Sequence, residues 1–126
     1  MIGLADTSLF IAWEADRPLR TQPPDEIAVT VVTLGELRLG VLMAGDLESR
    51  HRRLATLELA SALEPIPIDR DVADVWAALV ALLRQAGKRM PINDSWIAAA
   101  AMCHELPVVT QNDDFDVVEG LRVIKL

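Results

Sequence analysis

Apolar residues follow two kinds of pattern along the chain: short unbroken runs, and longer stretches with helical spacing. Each short run ends at polar residues, as buried strands of a parallel sheet do. These predicted strands are residues 1–5, 27–32, 107–110 and 123–126. Apolar positions at helical spacing predict five helices between these strands. The helices are a short one over 9–13, one from 33 to the break at 45–46, one over 47–63, a long one ending at 85, and an alanine-rich one over 96–105.

Two local signals refine the helix ends. Thr33 and Glu36 have the spacing of a capping box, in which a threonine hydroxyl and a glutamate carboxylate satisfy amides at a helix start. We therefore expect the second helix to begin at Thr33. Asp69 or Asp71 can cap the long fourth helix, and Gly87 is placed to end it.

The alternation of strands and helices indicates the fold class. Strands and helices too short to stand alone predict an α/β fold with a largely parallel sheet of four to five strands. The extended piece Glu64–Ile68 carries two prolines, which place it at a sheet edge. A length of 126 residues fits one domain, residues 1–126.

Composition narrows the class of protein. About half of the residues are hydrophobic and 25% are charged, which is typical of a globular chain. The longest uncharged apolar run, Val75–Leu83, is too short to cross a membrane. Asp6 interrupts the first apolar run, so no signal peptide is expected. The single cysteine, Cys103, cannot form an internal disulfide. These features favour the cytoplasm.

Charge limits the ways in which the chain can bind nucleic acid. A net charge of −7 argues against a broad basic surface, but an acidic metal site contributes several of those charges itself. The basic residues are concentrated in two groups, each of which also has the simpler interpretation of a solvated helix face. The groups are Arg50, His51, Arg52 and Arg53, and then Arg84, Lys88 and Arg89.

Acidic residues stand where a parallel sheet gathers its ligands, beyond the carboxyl ends of the strands. Asp6 follows the first strand, and the pair Asp113 and Asp114 follows the strand at 107–110. Glu36 and Asp94 lie in the first turns of predicted helices. Converging carboxylates repel one another unless a cation lies among them, and Mg²⁺ or Mn²⁺ accepts such all-oxygen sites. An ionised water on such a cation can attack a phosphodiester.

Each of these acids also has a structural interpretation, and the residues alone leave both open. Asp6 can cap a helix, and Asp94 can interact with a helix dipole. The capping box accounts fully for Glu36. The run Asn112-Asp113-Asp114 is typical of a turn.

Several motifs, in their order along the chain, resemble one known family. They are Ala5–Ser8, Thr33–Leu37, Asn93–Ala99, Val109–Phe115 and the closing Gly120–Ile124. The ordered set resembles the PIN-domain VapC toxins of bacterial toxin–antitoxin pairs, and the likeness covers the whole chain. It implies a PIN-like three-layer α/β/α fold with a mainly parallel sheet.

The resemblance also implies a catalytic site. Asp6 and Asp94 would be the principal ligands of Mg²⁺ or Mn²⁺, and Glu36 would bind the metal or position water. Thr110 would orient the site by hydrogen bonding, with Thr7 in support.

A fourth acid is implied as well, and here the chain departs from a simple match. Counting from Thr110, the position falls on Asn112; counting back from Phe115, it falls on Asp114. We expect Asp114 to be the fourth acid, with Asp113 as the second choice and Asn112 and Asp113 otherwise in supporting roles.

The implied activity is that of a toxin of a type II toxin–antitoxin system, a metal-dependent endoribonuclease that hydrolyses RNA without a covalent intermediate. Neither His51 nor His104 fits a catalytic part. Few aromatic residues are present for base stacking, so substrate choice would rest on RNA shape and phosphate contacts. Weak candidates for those contacts are Arg50, Arg52 and Arg53.

The implied partners are a VapB-type antitoxin and a second copy of the chain, giving a homodimer and a heterotetramer or larger complex. An antitoxin could inhibit by presenting a basic side chain to the acids. Two helix faces are expected to carry more apolar surface than one small domain covers. Their residues are Leu34, Leu37, Val41, Leu54 and Leu57.

Three other functions compete with this one. A phosphatase or phosphotransfer domain also has an aspartate after its first strand, but a haloacid-dehalogenase-type phosphatase needs a second aspartate where Ser8 stands, and Lys125 is badly placed for a receiver. A non-catalytic dimerising module that binds a partner is the second alternative. A DNA-specific nuclease of similar architecture is the third.

Overall fold

The computed structural model of the protein describes all residues, 1–126. Its four strands are β1 (Ile2–Ala5), β2 (Glu26–Ala28), β3 (Val108–Thr110) and β4 (Val123–Lys125). Its five helices are α1 (Thr7–Glu14), α2 (Val31–Leu42), α3 (Leu47–Ser61), α4 (Arg70–Gln85) and α5 (Ile92–Cys103), and a 3₁₀ turn spans Asp114–Val117.

The strands form one sheet in the order β2-β1-β3-β4, and every pair is parallel. The predicted α/β class with a four- to five-stranded, mainly parallel sheet is therefore confirmed, with four strands. The extended piece Glu64–Ile68 contributes a single parallel bridge from Ile66 to Thr30, just beyond the end of β2. It lies next to the edge strand, as its prolines predict, but it is too short to count as a fifth strand.

Helices cover both faces of the sheet, which gives the three layers. Neighbouring residues of a strand point to opposite faces. Accordingly, Leu4 and Val108 pack into the buried cluster that contains α4 and α5. Ala5 and Val109 pack into the other cluster, with α1, α2 and α3. No helix of the structure combines the length and apolar composition that crossing a bilayer requires.

The start of α2 differs from the prediction. The helix begins at Val31, because Thr30 is its N-cap and the Thr30 hydroxyl accepts a hydrogen bond of 3.3 Å from the Thr33 amide. The predicted strand over 27–32 is present as β2 but spans only Glu26–Ala28, and the predicted capping box of Thr33 with Glu36 is wrong. The β-branched Val31 and Val32 favour a strand locally, but the cap at Thr30 starts a helix there instead.

Both ends of α4 agree with the prediction, whereas the start of α5 does not. Asp69, and not Asp71, caps α4 by accepting a hydrogen bond of 3.0 Å from the Val72 amide. Gly87 follows that helix with a positive φ of 70°, a conformation that glycine adopts without strain. The last helix begins at Ile92, four residues before the predicted start at Trp96.

The exposed apolar surface of α2 and α3 is formed by other residues than the sequence predicts. Leu37, Val41 and Leu57 are buried because α2 and α3 pack against each other and against the sheet. Leu34 and Leu54 are half-buried against the same cluster. The large apolar side chains that α2, α3 and their connection do expose are Val31, Leu39, Leu42, Met43, Leu47 and Leu59.

Candidate active site

Four acidic residues from four parts of the chain face one another beyond the carboxyl ends of β1 and β3. Asp6 joins β1 to α1, and Glu36 lies in the middle of α2. Asp94 lies in the first turn of α5, and Asp114 begins the 3₁₀ turn after β3. The charges of the other three all raise the pKa of Asp94, as expected for carboxylates at one edge of the sheet.

Asp6 is the most deeply buried of the four, with 1% of its surface exposed. Thr110 Oγ1 donates a hydrogen bond of 2.6 Å to its Oδ2, and Ser8 Oγ donates one of 2.7 Å to its Oδ1. Burial raises the pKa of Asp6, and these two hydrogen bonds oppose that effect. Asp6 is also the N-cap residue of α1, and the backbone amide of Leu9 in the first turn lowers its pKa as well.

Asn112 links Asp6 to Asp114. Its Nδ2 lies 3.4 Å from Oδ2 of Asp6, and its Oδ1 accepts a hydrogen bond of 3.0 Å from the Asp114 amide. Its own amide donates to Thr110 Oγ1 at 3.1 Å. Ser8, which the sequence analysis missed, accepts a further hydrogen bond of 3.0 Å from the Gln111 amide. The loop after β3 is thereby fixed to the β1–α1 junction.

Glu36 is held by the helix that follows Asp6. Thr7 Oγ1 donates a hydrogen bond of 2.7 Å to Oε1 of Glu36, and the same hydroxyl lies 3.3 Å from Thr33 Oγ1. Glu36 lies beyond the first turn of α2, which Thr30 caps. Glu36 is therefore not a capping residue, and capping does not explain why its carboxylate is half-buried at this place.

Asp94 and Asp114 form the second half of the site. Burial, followed by the neighbouring Asp114 carboxyl, raises the pKa of Asp94 to about 7. Two carboxyl groups this close share a proton near neutral pH unless a cation offsets their charge. No lysine, arginine or histidine forms an ion pair with Asp6, Glu36, Asp94 or Asp114.

Asp113 lies outside this group although it adjoins Asp114 in sequence. Lys125 Nζ lies 2.6 Å from Asp113 and 2.5 Å from Asp116, and this ion pair lowers the pKa of Asp113. Lys125 is thus an anchor that the sequence analysis missed. The only signal for it is the parallel pairing of β4 beside β3, which cannot be known before the sheet order is known.

The four acids have the chemistry of a site for a divalent cation. Their donors are all carboxylate oxygens, which suit hard ions such as Mg²⁺ and Mn²⁺, and their mutual repulsion is not offset by any basic side chain. No three acidic, histidine or cysteine side chains are arranged as a ready set of ligands around one point. The residues therefore fit a cation by donor type and charge.

The first basic group has contacts of its own. Arg53 donates a hydrogen bond of 2.7 Å to the carbonyl of Gly40, which lies in the last turn of α2. Arg52 lies 3.7 Å from Glu48, and Arg50 is exposed. His51 is exposed on α3, and His104 follows α5 at the end opposite to Asp94.

Comparison with known proteins defines the class to which this fold and site belong. The PIN domain family matches residues 4–121, which is nearly the whole chain. The chain belongs to the PIN-domain family.

Within the PIN-domain family, the chain is similar to proteins named VapC. The chain is 48% identical to Ribonuclease VapC5 of Mycobacterium tuberculosis over 125 residues, 98% of this chain and 93% of that protein. It is 49% identical to Ribonuclease VapC4 of the same organism over 129 aligned residues, 98% of this chain and 96% of that protein. The likeness to VapC proteins inferred from the ordered motifs is confirmed.

Solved structures agree with these relatives. The fold matches the VapBC-5 toxin–antitoxin structure from Mycobacterium tuberculosis with a TM-score of 0.91 and 46% identity, over 99% of this chain and 98% of that one. It also matches a DNA-bound VapBC from Salmonella typhimurium with a TM-score of 0.80 and 25% identity, over 98% and 97% of the two chains. The predicted PIN-like three-layer fold is confirmed.

Proposed function

We propose that this chain is the toxin of a type II toxin–antitoxin pair and that it acts as a metal-dependent endoribonuclease. Its similarity to proteins named ribonucleases VapC5 and VapC4 supports RNA as the substrate. The observation that carries the proposal is the buried carboxylate of Asp6. It has no basic partner, and the charged groups that it interacts with are the acids Glu36 and Asp94 from two other parts of the chain. A folded protein keeps such a group ionised most readily with a cation beside it.

Asp6 and Asp94 would hold Mg²⁺ or Mn²⁺, with Asp114 as the fourth acid and Glu36 either as a ligand or as a group that orients water. A bound divalent cation supplies positive charge that offsets the charge developing on a phosphodiester and promotes ionisation of water.

The surrounding hydroxyl groups orient these carboxylates. Thr110 and Ser8 each donate to one oxygen of Asp6, which favours its ionised form. Thr7 engages Oε1 of Glu36, so Oε2 is left to accept a hydrogen bond from an attacking water. Asp6 and Glu36 would therefore enter the reaction with fixed orientations.

The structure lacks the catalytic groups of the alternative enzyme class, a phosphatase or phosphotransfer domain. The place of a second phosphatase aspartate is taken by Ser8, whose hydroxyl donates to Asp6. Lys125, which a receiver domain would need near its acids, pairs with Asp113 and Asp116 instead. These contacts favour water, and not an aspartyl nucleophile, as the group that attacks the phosphodiester.

We also propose a cognate VapB-type antitoxin as partner, in a homodimer, heterotetramer or larger complex located in the cytoplasm. The similar structures named above are of VapBC assemblies, which supports a small antitoxin for this chain. The exposed apolar residues of α2 and α3, among them Leu39, Leu42 and Leu47, are surface that such a partner would cover. RNA cleavage that stops when the antitoxin is added distinguishes a toxin from a non-catalytic binding module.

The test combines metal binding with cleavage. Asp6→Asn and Asp94→Asn keep the side-chain shape and remove a charge, so both should weaken Mn²⁺ binding in calorimetry and abolish RNA cleavage. Asp25→Asn, an exposed change before β2, should leave both unchanged. Parallel RNA and DNA substrates decide between the ribonuclease and the DNA nuclease. Wild-type cleavage by both site variants would refute the proposed site.

A further inference from the structure

A groove beside the candidate active site combines basic and apolar side chains. It lies between the end of α4, the loop that follows, and the first turn of α5, and it encloses about 420 Å³. Leu83 and Ser95 are buried at its base, and Met90 is half-buried. The side chains of Arg84, Lys88 and Arg89 line it and are exposed. The groove therefore presents exposed positive charge beside buried and half-buried lining residues, of which Leu83 and Met90 are apolar.

The positive charge of this groove is not offset by the protein. The chain has 19 acidic residues and a net charge of −7, yet no aspartate or glutamate occurs between Asp74 and Asp94. None of the three groove cations forms an ion pair. The basic residues of α3 differ, since Arg52 lies beside Glu48 and Arg53 is bound to the Gly40 carbonyl. The three groove cations are thus a positive patch available to an external anion.

The groove adjoins the acidic site. Ile92 and Ser95 line it, and Asp94, which precedes Ser95 in the same first turn of α5, projects about 100° away from Ser95 around the helix axis. One helical turn advances only about 5 Å along the axis. An RNA whose cleaved phosphodiester lies at Asp94 therefore has neighbouring phosphates within reach of the groove.

We propose that this groove binds the ribose–phosphate backbone of the substrate next to the cleaved bond. Arg84, Lys88 and Arg89 contact phosphates, and a base packs against Leu83 and Met90. This inference rests on the proposed ribonuclease function and adds a substrate site to it. It also explains how a chain with a net charge of −7 binds a polyanion, because a local patch beside the acids replaces a broad basic surface.

The test is a triple variant, Arg84→Gln, Lys88→Gln and Arg89→Gln, against a control with the same loss of charge. The control is Arg17→Gln, Arg70→Gln and Arg122→Gln, three exposed residues outside the groove. Binding of a fluorescein-labelled single-stranded RNA is measured in EDTA over a range of salt concentrations. Cleavage of the same RNA is measured in Mn²⁺, and Mn²⁺ affinity is measured by calorimetry.

We expect the groove variant to bind this RNA about tenfold or more weakly, with a salt dependence reduced by about 2 in log–log slope for three lost phosphate contacts. Its KM should rise while kcat and Mn²⁺ affinity stay near wild type. RNA affinity equal to that of the control variant overturns the proposal. So does a groove variant that keeps its RNA affinity but no longer binds the co-expressed antitoxin, since the groove is then a protein-binding surface.

A failure of the proposed function has a different signature. In that case the wild-type protein itself neither binds nor cleaves the RNA, and the groove proposal falls with it. A wild type that cleaves the RNA, together with a groove variant indistinguishable from the control, refutes the groove proposal alone.

Discussion

Thr110 donates a hydrogen bond of 2.6 Å from its hydroxyl to Oδ2 of Asp6, although the two residues are 104 positions apart in the chain. Both are almost completely buried. Sheet register explains the contact, because Ala5 is paired with Val109 in the parallel strands β1 and β3. Asp6 and Thr110 are the next residues along each strand, so strand pairing itself places the hydroxyl beside the carboxylate.

Replacing Thr110 by valine keeps the side-chain volume and removes both this hydrogen bond and the one that Thr110 Oγ1 accepts from the Asn112 amide. We expect a loss of about 1–2 kcal/mol in the free energy of unfolding. The pKa of Asp6 should rise further, because the hydrogen bond favours its ionised form. Mn²⁺ affinity, measured by calorimetry, should therefore fall most at acidic pH and recover as the pH rises. Thr21→Val, at an exposed threonine, is the control. An affinity equal to wild type at every pH would contradict this role.

Glu36→Gln separates a catalytic role from a structural one. The amide oxygen of glutamine can still accept the hydrogen bond from Thr7, and Thr30 caps α2 independently. We expect the free energy of unfolding to change by less than about 0.5 kcal/mol. The cleavage rate should fall by about 10²-fold or more.

Thr30→Ala should behave in the opposite way. Loss of the N-cap costs about 1–2 kcal/mol of stability and leaves the cleavage rate near wild type. Urea unfolding and initial rates on both variants give the comparison. A Glu36→Gln enzyme with wild-type activity would return this residue to a structural role.

Positions that depend on the strands alone could be predicted from the sequence. Asp6 follows a buried apolar run, and parallel strands collect such residues at one edge, so its place needs no knowledge of the loops. The capping-box spacing of Thr33 and Glu36 predicts Glu36 in a first turn, whereas Thr30 is the cap in the structure. The bridge from Thr30 to Ile66 ends the extended backbone at Thr30, and a contact this distant leaves no local signal in the sequence.

The choice between Asp113 and Asp114 shows a second limit of prediction from the sequence alone. Counting residues within the motif leaves both open, and the structure separates them through Lys125, which lies in the neighbouring strand β4. The basic groove depends in the same way on the packing of α4 against α5. Contacts between elements that are distant in sequence therefore complete a site whose main residues the sequence already indicates.

Asp114→Asn and Asp113→Asn test that choice directly. Asp114 adjoins Asp94 and raises its pKa, whereas Asp113 is exposed and paired with Lys125. We expect Asp114→Asn to lower the cleavage rate by about tenfold or more and to bring the pKa of Asp94 down. Asp113→Asn should have a much smaller effect on rate. Initial rates over a range of pH measure both, and the reverse order of effects would make Asp113 the fourth acid.

The metal-free protein should lose stability as the pH rises. Burial and the Asp114 carboxyl raise the pKa of Asp94 to about 7, whereas an unfolded aspartate has a pKa of about 3.9. Between these values the folded state binds more protons than the unfolded state, so the free energy of unfolding falls from about pH 4 to about pH 7 and then levels off. Because the carboxyl is only partly buried, solvent screening limits the change to about 1–2 kcal/mol.

Urea unfolding in EDTA at acidic and at neutral pH measures this change, and Asp94→Asn should remove most of it. Saturating Mg²⁺ should reverse the trend, because the cation binds the ionised carboxylates of the folded state and its affinity rises as they lose their protons. The same experiment on Asp25→Asn should reproduce the wild-type behaviour in both buffers. Wild-type protein that is equally stable at acidic and neutral pH in EDTA would show that Asp94 and Asp114 do not repel each other as the structure indicates.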